Sequence, residues 1–175
     1  MLTQSPIHSN KPAAWHILWQ EALNLALRAC AERYTGCDLP TLDRINRGWI
    51  IACAGKVRLL DHGICEVASQ FGTQTYTVNG ACSCPDKRRI GKAYCKHQWA
   101  AALARKAYAL LDAAITQALI TWPPDADRAE CPRCGLKALA VVWDNPHTCH
   151  TRLCQAEITL AGTTYTCGWV EGATE

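Results

Sequence analysis

Residues 76–107 read YTVNGACSCPDKRRIGKAYCKHQWAAALARKA, and the rest of the chain is organised around them. They hold Cys82, Cys84, Cys95 and His97 in the pattern C-x-C-x10-C-x-H. Three thiols and one imidazole make a complete tetrahedral zinc set. Asn79-Gly80 signals a type I′ hairpin turn, so the chain is expected to reverse there into a short strand. In a strand, residues two apart face the same side, which points Cys82 and Cys84 together. Pro85 stops that strand, and a loop returns the chain to Cys95 and His97, where an Ala-rich helix begins. Two ligands on a strand end and two at a helix start can clamp one ion between sheet and helix.

The pattern resembles the SWIM-type zinc finger, through Cys82, Cys84, Cys95 and His97 and both one-residue spacers. The resemblance covers about a fifth of the chain. It implies a strand–helix layout and a DNA-binding or protein-interaction module, with the partner left open.

At 175 residues the chain suits one to two small domains. It is 49% apolar and 19% charged, ordinary for a folded protein. No apolar run is long enough to suggest a membrane span. Residues 1–12 have no apolar signal core behind a basic start, so they read as a disordered leader of an intracellular protein, cytoplasmic or nucleoid/nuclear. Twelve cysteines allow a disulfide-rich secreted protein. Without a signal peptide, and with Cys-x-Cys and Cys-x-x-Cys pairs, metal ligation is the better reading. Cys30, Cys37, Cys53 and Cys65 are scattered singly and read as core or surface thiols.

The formal net charge of +3 conceals an asymmetry. Residues 1–124 hold 14 Lys and Arg against 8 Asp and Glu, and residues 125–175 hold 4 against 7. A zinc ion on three thiolates and an imidazole adds −1, and one on four thiolates adds −2. Loaded with one of each, the front of the chain carries +5 and the tail −5. A nucleic-acid argument must therefore rest on local basic residues.

An amphipathic helix is expected over residues 13–34. Trp15, Leu18, Trp19, Ala22, Leu25, Ala26 and Ala29 would form its buried face. The two tryptophans read as packing against the next helix rather than as base-stacking groups. Asp38 or Thr41 caps a second helix ending near residue 54, which would bury Leu42, Ile45, Trp49 and Cys53. Residues 56–84 read as a meander with turns at 61–63 and 71–73. His62 reads as a solvated turn residue. A long helix follows over residues 96–121, with a stripe of Trp99, Leu103, Ala107, Leu110, Ala114 and Ile115. It ends before Pro123 and Pro124. Residues 123–130, PPDADRAE, read as a linker.

Beyond the linker, Cys131-Pro-Arg-Cys134-Gly135 has the form of a zinc knuckle and resembles the first knuckle of the zinc-ribbon family. Residues 137–143 and 147–153 are expected as paired strands. A second Cys-x-x-Cys does not follow. Cys154 and Cys167 are preferred as its replacement, because Cys167-Gly168 repeats the Cys-Gly ending and residues 157–166 can form an inserted hairpin turning at Ala161-Gly162. The alternative pairs Cys149 with Cys154. A thioredoxin-like redox pair at Cys131 and Cys134 lacks the expected βαβ context. Both zinc ions would be structural, since four protein ligands leave no open position. Chelation is expected to unfold residues 131–175, because such sites contribute about 10–16 kcal/mol in apparent terms.

Between the first ligand pairs lie Lys87, Arg88, Arg89, Lys92 and Tyr94, followed by Lys96, Arg105 and Lys106. The cations suit phosphate, the arginines could fork onto phosphate or guanine, and Tyr94 offers a stacking face. The same cations could instead balance the anionic zinc–thiolate centre, or face a protein. No catalytic constellation or small-molecule site is recognisable, and Asp125 and Asp127 read as solvated linker carboxylates. The expectation is a non-enzymatic α+β protein with two structural Zn2+ ions. It comprises a leader (1–12), a helical hairpin plus SWIM-like domain (13–122), a linker (123–130) and a zinc-ribbon-like domain (131–175). Its expected partner is DNA or RNA, with Lys87, Arg88, Arg89, Lys92, Tyr94 and Lys96 in contact. The alternative is an adaptor, inhibitor or small subunit of a larger nucleoprotein complex. No membrane is expected.

Overall fold

The computed structural model describes residues 13–121, 129–131, 137–143, 150–154 and 156–167. The fold is α+β. Among the described residues, helices α1 (Ala13–Arg33) and α2 (Leu39–Cys53) precede strands β1 (Val57–Leu59), β2 (Cys65–Ala68), β3 (Thr75–Asn79) and β4 (Ala81–Cys82). Helices α3 (Pro85–Ile90) and α4 (Lys96–Thr121) follow, then β5 (Ala129–Glu130), β6 (Lys137–Trp143), β7 (His150–Cys154), β8 (Glu157–Leu160) and β9 (Thr163–Thr166). The chain divides into one unit built on Trp19–Ala109 and another on Leu110–Glu175 together with Ser9–Leu18. No helix among the described residues is long and apolar enough to cross a membrane.

In the first unit, α2 starts where the sequence predicts. The Asp38 carboxylate accepts a hydrogen bond from the Thr41 N–H at 2.9 Å, supplying a partner that the first turn lacks. Trp19, Ala22 and Ala26 of α1 are buried, and Trp19 aims its indole N–H at the Ala52 carbonyl of α2. Leu23 joins them, whereas Ala29 is exposed. The side chain of Trp15 lies outside the described residues.

Helix α2 turns a different face inward from the expected one. Ile45, Gly48, Ile51 and Ala52 are buried, while Leu42 is exposed and Trp49 and Cys53 are half-buried. Gly48 is the reason. A Cβ there would stand 2.7 Å from Trp99 Cβ, 2.8 Å from the Ala100 nitrogen and 2.9 Å from the Lys96 oxygen. The helix therefore meets the first turn of α4 through its bare backbone, and that approach sets its rotation.

Strands β1 to β4 form an antiparallel meander in sequence order. Its register sets Cys65 beside Val78 and Val78 beside Cys82, so these three buried residues form a row across one face. Arg58 and Glu66 pair on the opposite parity at 3.4 Å. From α4, Arg105 donates its Nε–H to Cys65 Sγ at 3.3 Å.

The turn at Asn79-Gly80 departs from expectation. Val78 pairs with Cys82, one residue later than a type I′ turn allows, and Gly80 alone takes a positive φ of 67°. The I′ backbone instead occurs in the second unit. Leu160 pairs with Thr163 across Ala161 (φ 51°) and Gly162 (φ 83°). There β5, β6 and β7 form one antiparallel sheet, and β8 and β9 the predicted hairpin. Ala129 and Glu130, expected in the linker, belong to β5. The turn expected after Trp143 lies outside the described residues.

Gly48→Ala is expected to destabilise the protein by about 1–3 kcal/mol in urea unfolding, because backbone atoms of α4 occupy the space. Ala161→Asn is expected to stabilise the hairpin by up to about 1 kcal/mol, since Asn tolerates the left-handed conformation better than Ala. Thermal unfolding checks this, and a lower midpoint would contradict it.

Candidate metal centres

The first cluster sits where the meander hands over to the helices. β4 ends at Cys82, but the chain stays extended to Cys84, and alternation buries Cys82 and Cys84 and exposes Ser83 between them. Cys84 is then the N-cap of α3, with Pro85 at the first helical position, and its Sγ accepts the Lys87 N–H at 3.3 Å. Residues 85–94 are expected as a loop, but the first six form this short helix. A Pro directly after a capping residue was the available signal. Helix α3 ends at Gly91, and Cys95 accepts the first bond of α4, from the Trp99 N–H to its carbonyl at 3.0 Å. Two of the three thiols thus stand at helix N-termini, where the backbone dipoles favour negative charge.

The donor atoms of Cys82, Cys84, Cys95 and His97 all lie within 4.8 Å of one another, and all four residues are buried. No disulfide joins them. The cluster can hold a metal ion, and three features fit that role. Burial pushes the Cys82 thiol up to about 12, with the neighbouring Cys95 and Cys84 sulfurs adding to it. Burial likewise raises the Cys95 thiol. Thiolates at Cys82 and Cys95 are therefore unfavourable in this site on their own, and a bound cation reverses that balance. Burial, with the adjacent Lys96 charge, lowers the His97 imidazole to about 4, which keeps it neutral as a ligand must be. Finally, the buried His97 Nε2 has no hydrogen-bond partner, while Nδ1 lies 4.0 Å from Cys82 Sγ. Tyr76 lies against the ring at a centroid distance of 4.6 Å and fixes its plane.

Gln98 is the residue that sequence reasoning missed. It is buried, its Oε1 accepts the Cys95 N–H at 3.1 Å, and its Nε2 donates to the Gly80 carbonyl at 2.6 Å. One side chain therefore ties the helix start to the turn that delivers Cys82. Its position three residues after the cap is that of the Glu or Gln in a capping box, which was the signal that could have found it.

The second cluster brings Cys131, Cys154 and Cys167 within 4.8 Å of one another, with Cys131 and Cys167 sulfurs 3.8 Å apart. Cys154 ends β7 opposite Leu139 of β6. The β8–β9 hairpin then folds back, and the Cys167 N–H reaches the Ala156 carbonyl at 2.9 Å. That return explains why two cysteines thirteen positions apart in sequence meet. Cys134, the expected fourth member, and Cys149, the alternate, lie outside the described residues.

The residues of the basic segment are placed unequally. Lys87 folds back, and its Nζ donates to the Ala93 carbonyl at 2.7 Å and the Lys92 carbonyl at 3.4 Å. It closes the segment rather than projecting from it. Arg88, Arg89 and Lys92 are exposed, and Lys96 is half-buried. The ion pairs among the described residues, Arg47–Asp43 and Arg58–Glu66, involve none of them. Tyr94 packs on Trp99 with ring centroids 5.4 Å apart.

Elemental analysis is expected to find two metal ions per chain. Cys167→Ser should reduce that to one, and Cys149→Ser should leave it at two; the reverse pattern would move the second site. Gln98→Leu is expected to weaken metal binding at the first site by about 10–100-fold, as loss of a supporting hydrogen bond does elsewhere. Competition with a chromophoric chelator measures it. Comparison of the chain with protein-family models, with curated proteins and with solved structures found no match, so the reading of both clusters rests on their own geometry.

Proposed function

We propose that the protein is a non-catalytic, zinc-stabilised nucleic-acid-binding accessory protein. Zinc is the metal that suits three thiolates with one imidazole, or four thiolates, in a closed tetrahedral shell. Such a shell leaves no position for water or substrate, which supports a structural role for the ion. The 3.8 Å sulfur separation in the second cluster supports the same metal. Two sulfurs at about 2.3 Å from a tetrahedral zinc stand about 3.8 Å apart. The likeness of C-x-C-x10-C-x-H to the SWIM-type finger, and of the second cluster to a zinc ribbon, points the same way.

One observation carries the nucleic-acid reading. Arg88, Arg89 and Lys92 are exposed on a segment whose two ends are the buried ligands Cys84 and Cys95. The ion fixes the ends, Lys87 fixes the middle, and three cations face solvent in a constrained array. Phosphate groups are the natural complement, and the released counterions make the affinity depend on salt. A second reading, an adaptor within a larger nucleoprotein assembly, is favoured by the acidic excess of residues 125–175 and by Leu39, Leu42 and Ile50 exposed on α2.

Gel shifts over a salt series separate the two. Wild-type protein should bind bare DNA or RNA, and replacing Arg88, Arg89 and Lys92 by Ala should flatten the log–log salt slope by about two to three. An unchanged slope removes this segment from the interface. Binding only to a protein or an assembled complex would establish the adaptor reading instead.

A further inference from the structure

Beside the basic segment lies a cleft of about 550 Å³. It is lined by the end of α1, by α4 and by Tyr94, the residue directly before the ligand Cys95. Three aromatic rings meet there. Trp99 is buried at the centre, with Tyr34 set edge-on at 5.1 Å and Tyr94 tilted at 5.4 Å. Trp99 is only 6% exposed, whereas Tyr34 is 41% and Tyr94 47% exposed. Core aromatics are normally covered, so two half-open tyrosines braced on one buried tryptophan leave ring surface available for a planar partner.

The charges around the cleft select among planar partners. Arg33 and Lys106 line it and Glu32 opposes them, leaving one net positive charge. Arg88, Arg89 and Lys92 precede Tyr94 on the segment that leads to it. A neutral aromatic ligand has no use for those cations. A polymer of flat bases joined by phosphates uses both features.

Building on the nucleic-acid reading above, we infer that this cleft accepts unpaired bases of a single strand. They stack on Tyr34 and Tyr94 while the backbone runs along the cations. Bases inside a duplex are already stacked on one another and cannot enter. The cleft volume lies within the range of about 300–1,000 Å³ typical of ligand sites. The strand is recognised by its bases' faces rather than by their hydrogen-bonding edges, so the site is tolerant of sequence. The zinc site contributes by position, because Tyr94 is held next to Cys95 and Trp99 lies on the helix that carries His97.

The test compares three probes of equal length on metal-loaded full-length protein by fluorescence anisotropy: oligo(dT), an abasic deoxyribose-phosphate strand and a DNA duplex. Oligo(dT) should bind about tenfold tighter than the abasic strand, the effect of a single base–aromatic stack. It should also bind tighter than the duplex. In Tyr34→Leu and in Tyr94→Leu the ratio of oligo(dT) to abasic affinity should fall toward one. Metal content and circular dichroism of each variant show that it has folded. Wild-type protein that binds oligo(dT) and the abasic strand equally overturns the cleft as a base site, whatever the variants do, and leaves the phosphate interface standing. Preference for the duplex overturns it equally. Wild-type protein that binds none of the probes overturns the nucleic-acid reading and this inference together.

Discussion

Four soft donor groups converge in a buried space where a short strand ends and two helices begin. That convergence is the constraint on which the first unit depends. Without a cation, burial drives the Cys82 and Cys95 thiols toward the neutral form and the His97 ring stays neutral. The cluster is then a group of buried polar side chains with His97 Nε2 left unpaired, a poor use of core volume. With a divalent ion the same burial becomes favourable, because attraction between ion and thiolate is stronger in a low-dielectric site. The neighbouring backbone is already arranged for that state. Cys84 caps α3, Cys95 opens α4, and Gln98 joins the helix start to the Gly80 turn.

The rest of the unit follows from holding that junction still. Helix α2 presses its Gly48 onto the first turn of α4, the turn that follows Cys95 and carries His97. In the row Cys65, Val78 and Cys82, Cys65 meets Arg105 of α4 while Cys82 belongs to the cluster. Between the ligand pairs, the segment from Pro85 to Tyr94 is too short and polar to fold alone. Its order derives from its anchored ends and from the Lys87 clasp. A constrained cationic segment loses less entropy on meeting phosphate than a free one.

Much of this was legible in the sequence, and the limits have physical causes. The one-residue spacers, the residue parity and the helix beginning after Cys95 follow from local geometry, so the convergence of Cys82, Cys84, Cys95 and His97 could be read directly. Asp38 marked the start of α2 for the same reason. Cys154 and Cys167 could be preferred over Cys149 because a ten-residue hairpin fits between them. What could not be read depends on contacts distant in sequence. The rotation of α2 is set by a glycine whose partner is fifty residues away. The turn at Gly80 departs from the I′ form because Asn-Gly carries only a local preference, whereas the register there brings Cys82 opposite Val78 and into the cluster. The inward use of Lys87 and Arg105 was hidden because a cation's sequence position does not reveal whether carbonyls or a sulfur lie within its reach.

Hydrogen exchange on metal-loaded and chelated protein tests the central claim most directly, because it reads backbone order residue by residue. Chelation is expected to collapse protection across β4, α3 and the first turn of α4, while the middle of α4 and strands β1 to β3 keep most of theirs. Protection of residues 81–98 that is the same with and without metal would contradict it.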